Sequence, residues 1–271
     1  MLWYPRKEAF LAGRILIPHS DSIGLNSTSL GYHSMAKGDF SLAFGHESKA
    51  TGQNSTAIGN QAIARGSDSY AFGSGALATG QKSFAFGSVG VDENGLPTST
   101  ITYAKGDYST ALGMGAQAIQ NASMALGVNA TASGYASTSL GFYSQATDYY
   151  AVAIGYYSKS LNRYAHSFGL GAEASGYGSL ALGMYAKSQG NYASSMGYRS
   201  EAKFPYSVAI GYYALAQADY SAAFGRSAQA NGASSVAVGY GTVAGGLGAA
   251  AFGRSAVANG EESSLSLGYT C

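Results

Sequence analysis

Cysteine is almost missing from this chain: Cys271 is the one such residue in 271. A single thiol makes no intrachain disulfide, so packing and hydrogen bonds must hold the fold. Cys271 reads equally as an interchain link, an engineered handle or an ordinary end residue. Proline is scarce too, with 4 residues, against 39 glycines that show no Gly-X-Y period, which excludes collagen. Charge is thin: charged residues make up 11% of the chain and the formal net charge is +1. That balance argues against capture of nucleic acid or anionic lipid. No stretch approaches the ~20 consecutive apolar residues of a membrane-spanning helix, so no direct membrane insertion is expected of this segment.

Catalytic constellations are lacking as well. His19, His33, His46 and His166 fall at no metal-ligand spacing. His33 and His46 stand at turn positions and read as solvated corner residues. The many serines belong to rows of small residues and have no base beside them. Gly245-Gly246 lacks the Lys-Ser/Thr of a phosphate loop, and the nonapeptide calcium repeat with its Asp is missing. The chain is expected to be no enzyme and to need no cofactor or metal.

What the chain has instead is a period. Glycine returns every 14 residues, from Gly31 to Gly87 and again from Gly113 to Gly253, with Gly268 one residue late. An apolar residue precedes each of these anchors: Leu30, Phe44, Ile58, Phe72, Phe86, Leu112, Leu126, Leu140, Ile154, Phe168, Leu182, Met196, Ile210, Phe224, Val238, Phe252 and Leu267. A repeat this short cannot bury its own apolar face, so the copies must stack. Small residues lie two and four before the anchor (Ala111 and Ser109) and three and five after it (Ala116 and Ala118). Seven after it comes a second glycine in most copies, such as Gly52, Gly66 and Gly80.

A spacing of two means strands. A heptad coiled coil also fits fourteen residues, but two glycines per repeat would cost a helix about 1 kcal/mol each. Each repeat therefore reads as two short strands closed by two turns, with the glycines supplying φ > 0 or close approach. Asp148 and Asn162, which replace the second glycine, suit a left-handed corner; Gln120, Ala218 and Phe204 suit it less well. The Ala and Ser rows of both strands should face each other across a tight interior. The outer face of the second strand is polar in many copies (Lys49, Gln117, Glu173, Lys187) and should meet water. The outer face of the first strand carries the apolar row, longer than a soluble monomer usually exposes. The pattern implies assembly through that face, the alternative being a monomeric solenoid with one greasy side.

Asn54-Ser55-Thr56-Ala57-Ile58-Gly59, Tyr206-Ser207-Val208-Ala209-Ile210-Gly211 and Ser235-Val236-Ala237-Val238-Gly239 resemble the head repeat of trimeric autotransporter adhesins of the YadA type. The resemblance covers roughly residues 25 to 268. It implies an all-β fold, a left-handed parallel β-roll solenoid of 14-residue two-strand coils that trimerises around a central axis. The seventeen apolar residues before the anchors would then line the homotrimer interface. It further implies a non-enzymatic adhesin head on the bacterial cell surface, held to the outer membrane by an anchor outside this chain. Attachment would be to host cells, matrix proteins, glycans or other cells, a role in virulence. The alternative is a structural fibre or spacer, as in a phage tail fibre or surface appendage.

Three boundaries follow. Residues 1–24, with Trp3, Phe10, Leu11, Ile15 and Ile17, read as an N-terminal cap or lead-in, and their Trp-Tyr-Pro-x-Lys-x-Ala-Phe run is similar to the start of some bacterial fibre-like proteins. Residues 25–268 hold the head repeats and 269–271 the terminal residues. No secretion signal, stalk or membrane anchor is visible, so the sequence reads as a fragment or a module.

Two features stand out as candidates for ligand binding. The interval from Gly87 to Gly113 is 26 residues, and its extra segment, about 91–102, contains Asn94-Gly95 and alternating residues, the pattern of a protruding hairpin. Asp92, Glu93 and Asn94 would sit at its tip and Ile101 and Tyr103 near its base, within the second-strand stretch; a neutral insertion is the competing reading. The second feature is tyrosine, with 22 residues. Tyr156, Tyr157, Tyr212 and Tyr213 are candidates for a sticky surface. Aromatic ladders between stacked coils are the competing reading.

Overall fold

The computed structural model describes residues 1–15, 17, 19–260 and 262–268, so Cys271 and the terminal stretch 269–271 lie outside the described residues. The chain forms two compact units, Met1–Tyr143 and Ser144–Cys271. Each is a parallel β-solenoid, and no α-helix occurs among the described residues.

One rung shows how the sequence makes the coil. Thr110–Leu112 form a three-residue strand and Gln117–Ala118 a two-residue strand. Ala111 and Ala118 point inward and are fully buried, as are Ser109 and Ala116. Leu112 and Gln117 point outward. The next rung repeats this in register: Ala111 pairs with Ala125 and Ala118 with Ala132, both parallel. In the first unit the long strands run from Ala9–Arg14 to Thr138–Leu140 and the short ones from Met35–Ala36 to Thr131–Ala132. In the second they run from Val152–Ile154 to Leu265–Leu267 and from Gln145–Ala146 to Val257–Ala258. Apart from Leu11 and Ile23 under the first strands, the buried apolar residues among those described are all alanine. Two sheets that approach this closely leave room for small side chains, alanine and serine in most rungs and threonine at Thr102 and Thr242.

The corners differ from the sequence expectation. The second glycine of the repeat is not left-handed: no residue of that row, Gly52 and Gly106 included, has positive φ. Glycine is needed there for space, since a Cβ on Gly52 would lie 2.1 Å from the carbonyl oxygen of Gly66. The left-handed residues stand two places after each glycine, at the third position of a four-residue turn. In the turn Gly52–Ser55, Asn54 has φ +54° and the Ser55 amide donates to the Gly52 oxygen at 3.2 Å. The Ser55 hydroxyl donates to that same oxygen at 2.6 Å, which explains Ser four before the anchor. Tyrosines occupy many of the left-handed places, among them Tyr150, Tyr164, Tyr192, Tyr206 and Tyr220 at the second corner. The anchor glycine is required twice over. Gly155 has φ +133°, outside the range of other residues, and a Cβ on it would lie 2.4 Å from the Gly169 oxygen.

The two ends of the repeat also depart from the bare period. Leu2–Tyr4 fold back antiparallel on Ala9–Arg14, which pairs parallel with Thr28–Tyr32 and sets Gly13 beside Gly31. Gly13 is thus a further anchor, hidden because it stands 18 residues before Gly31 instead of 14. Ala9, Leu11 and Ile23 make a small core there with Tyr4 and Ile15 against it, while Trp3 stays exposed. At the other end, Ala244 pairs with Ala258 at the normal offset but Leu247 bridges to Glu262. The offset thus grows from 14 to 15 residues between Ala258 and Glu262, which accounts for the late Gly268.

Candidate functional surface

Three surfaces carry the candidate residues. The first is the outer face of the long strands. None of the seventeen residues before the anchors is buried in the single chain. Phe44 is 50% exposed, Phe86 51% and Leu182 44%. The rest of that row, from Leu30 through Ile58, Phe72, Leu112, Leu126, Leu140, Ile154, Phe168, Met196, Ile210, Phe224, Val238 and Phe252 to Leu267, is half-buried or exposed. Three before the anchor, the same face shows Leu42, Tyr70, Phe84, Val152, Leu180, Val208 and Val236. Phe72 packs against Phe84 and Phe86, so rings knit neighbouring rungs of the first unit. His166 interrupts the apolar strip between Val152 and Leu180. Burial holds its imidazole below the ordinary histidine pKa.

The second surface is the insertion. It leaves the coil at the first corner, whereas the sequence places it in the second strand. Thr102 takes the interior place three after the anchor: it is fully buried, and its Oγ1 donates to Ser88 O at 2.8 Å and Gly113 O at 2.6 Å. The second strand, Tyr103–Ala104, is intact, so Tyr103 is an outward residue of that strand. The segment is a hairpin with an antiparallel bridge between Val91 and Pro97. Asp92 is part of its neck: Oδ1 accepts from the amides of Asn94 at 2.9 Å and Leu96 at 2.8 Å. Glu93, Asn94 and Gly95 form the exposed tip. Ile101 is half-buried beside Gly75. The hairpin is moored along the first corner of later rungs. Asn129, 8% exposed, donates from Nδ2 to Val91 O and accepts from Thr100 Oγ1 at 3.0 Å, and the Tyr143 hydroxyl donates to Val91 O at 3.2 Å.

The third surface is made by the corners of the second unit. On the second corner, Tyr150 and Tyr164 stack at 5.3 Å and 1°, and Tyr206 and Tyr220 at 5.0 Å and 2°. Gly178 breaks this row, and Tyr177 fills the gap edge-on against Tyr164 and Tyr192. On the first corner, Tyr156 and Tyr157 meet edge to face at 4.7 Å, as do Tyr212 and Tyr213. The tyrosines thus form ladders, yet Tyr156, Tyr212 and Tyr213 remain exposed. Arg199, Arg226 and Arg254 lie among these rings, 5.3–5.7 Å from the ring centres, within cation–π reach. A cleft of about 400 Å³ opens beside Arg199, lined by Tyr185, Lys187, Arg199, Ser200, Glu201 and Tyr213. Tyr198 and then Tyr213 hold the Arg199 proton more firmly than usual. Reading tyrosines alone passes over these arginines. Their signal in the sequence is position: Arg226 and Arg254 follow their anchors directly, where Tyr212 and Tyr240 stand in neighbouring copies.

Stacked two-strand rungs, an alanine interior and glycine-pinned corners define a repeat protein of the parallel β-solenoid class, with side chains for contact on its outer faces. The profile of the YadA head domain repeat, taken two copies at a time, matches residues 22–48, 36–62, 50–69, 64–88, 102–116, 118–144, 132–158, 167–186, 188–214 and 216–242. These segments cover well over half of the chain, and the chain belongs to the YadA head domain repeat family. No curated protein matches it.

Proposed function

We propose that this chain is a non-enzymatic adhesin head of the trimeric autotransporter type, displayed at the bacterial cell surface. Membership of the YadA head repeat family supports the class. The observation that carries the assembly is the unbroken row of apolar residues before the anchors, none of which is buried in the single chain among the described residues. Burying such a face is favourable by roughly 1.5–3 kcal/mol per large side chain. In this reading the coil is left-handed, three copies set their long strands toward a common axis, and the corners and the hairpin stay outside. Host matrix proteins, glycans and cell surfaces are the ligand classes. No helix among the described residues is long and apolar enough to cross a membrane.

The test is attachment. Beads coated with the purified chain should adhere to cultured epithelial cells or to immobilised matrix proteins above albumin-coated beads. Beads that adhere to neither favour a spacer or fibre module instead.

A further inference from the structure

We propose that the arginine–tyrosine column on the first corners of the second unit binds a linear polysaccharide with one anionic group per disaccharide. The inference rests on the adhesin reading and names a ligand for it. Tyr212, Arg226, Tyr240 and Arg254 hold the same place, one after the anchor, on four successive rungs. The Arg226 guanidinium lies 5.4 Å from the Tyr212 ring centre and 5.3 Å from that of Tyr240, and Arg254 lies 5.5 Å from Tyr240. Rings and cations alternate. Arg226 thus has an aromatic ring on the rung before it and another on the rung after it, and its N–H groups are the polar part of the column. Those groups match the two oxygens of a carboxylate or sulfate. Arg226 is exposed and has no carboxylate partner among the described residues. Between Tyr206 and Ala258 the sole acidic residue is Asp219, which sits at the opposite corner.

Spacing selects the ligand. Arg226 and Arg254, each one after its anchor, are two rungs apart, and Arg199, two after Gly197, lies on the rung two before Arg226, one place to the side. Two rungs are about 9.6 Å, twice the strand separation. In an extended peptide the side chains of one face recur at about 6.7 Å, out of step with the column. One disaccharide of an extended polysaccharide spans about two rungs, so a charge per disaccharide stays in step. On the Gly197 rung the column place is held by Tyr198, which stacks on Tyr212, and Arg199 stands beside it, two after the anchor, in the cleft described above. There Nη1 donates to the Tyr213 hydroxyl at 3.1 Å, and Glu201 is turned toward Lys203 at 3.5 Å, a salt bridge that offsets its charge.

The experiment measures binding of hyaluronan, which has one carboxylate per disaccharide, to the full chain by biolayer interferometry. Dextran, polyglutamate and single-stranded DNA are compared under the same conditions. Hyaluronan should bind more tightly than all three. Arg226→Ala combined with Arg254→Ala should weaken it by about tenfold or more, since hydrogen bonds to charged groups are lost. Lys49→Ala combined with Lys82→Ala, which removes equal charge from the first unit, should leave it unchanged. Circular dichroism melts confirm that each variant folds. The proposal is overturned if hyaluronan does not bind, if polyglutamate or DNA binds as well, or if the two double variants weaken binding equally. The bead assay on the same proteins keeps the two readings apart. Attachment to cells without hyaluronan binding removes the polysaccharide alone, whereas hyaluronan binding without attachment removes the adhesin reading alone.

Discussion

Gly239 and Gly241 stand two residues apart and answer to different constraints. Gly239 has φ +135°, and a Cβ on it would lie 2.0 Å from the Gly253 oxygen. Gly241 has φ +63°, the ordinary left-handed region, and a Cβ there would meet only the Ser255 hydroxyl at 3.9 Å. Gly239→Ala should therefore cost about 3 kcal/mol or more, because strain and a backbone clash add. Gly241→Asn should change stability by less than about 1 kcal/mol. Urea melts of the two variants check the contrast, and equal losses would refute this account of the corners. The anchor row is legible in the sequence because both of its constraints exclude every side chain. The left-handed places are not, since they accept Tyr, Asn, Gln and Ser, and stacking with the next rung offsets the strain of a tyrosine there. For the same reason the second glycine of the repeat, kept for space, is easily mistaken for the left-handed one.

At the scale of the rung, the alternation of small and large residues makes strand order, register and the inward faces readable in advance. The irregular elements escape it. Gly13 is an anchor with the wrong spacing, and the insertion shows in the sequence as length without a place. Thr102 fixes that place: Tyr103 pairs with Leu77, so Thr102 falls in the interior row of Ala76, fully buried, with its hydroxyl shared between the Ser88 and Gly113 oxygens. Deleting residues 90–101 keeps Thr102 in the interior, whereas deleting 91–102 leaves Gly90 in its stead. With Val89→Asn in both to suit the left-handed corner, the first deletion should be the more stable by about 1 kcal/mol. Thermal melts of the pair decide it, and the reverse order would place the branch point elsewhere. His166 gives the long-strand sheet a pH response. Its folded pKa lies below the ordinary value, so as pH falls below that value the unfolded chain takes up a proton that the folded chain resists. Stability should therefore fall with pH across the window between the unfolded and folded pKa values, and level off below it. His166→Leu should flatten that part of the melting-temperature profile; an unchanged profile would mean that another group titrates.

For the whole molecule, an outer apolar face was legible from the row before the anchors, and the family from the repeated motif. The hairpin tip and the arginine column were less so, since both depend on which residues the coil brings side by side. Asn129 meets Val91 and Thr100 only after the chain has wound past them. The account stands or falls on what covers the long-strand face, where Ile154 and Phe168 are neighbours on successive rungs. Ile154→Asp would set a carboxylate in that seam, where desolvation disfavours it. The direct measurement is the molar mass of the unmodified chain by multi-angle light scattering, beside that of Ile154→Asp. Three times the 27.6 kDa chain mass, with a shift toward the single chain in the variant, is the result predicted. A folded unmodified chain that elutes at 27.6 kDa would contradict the account.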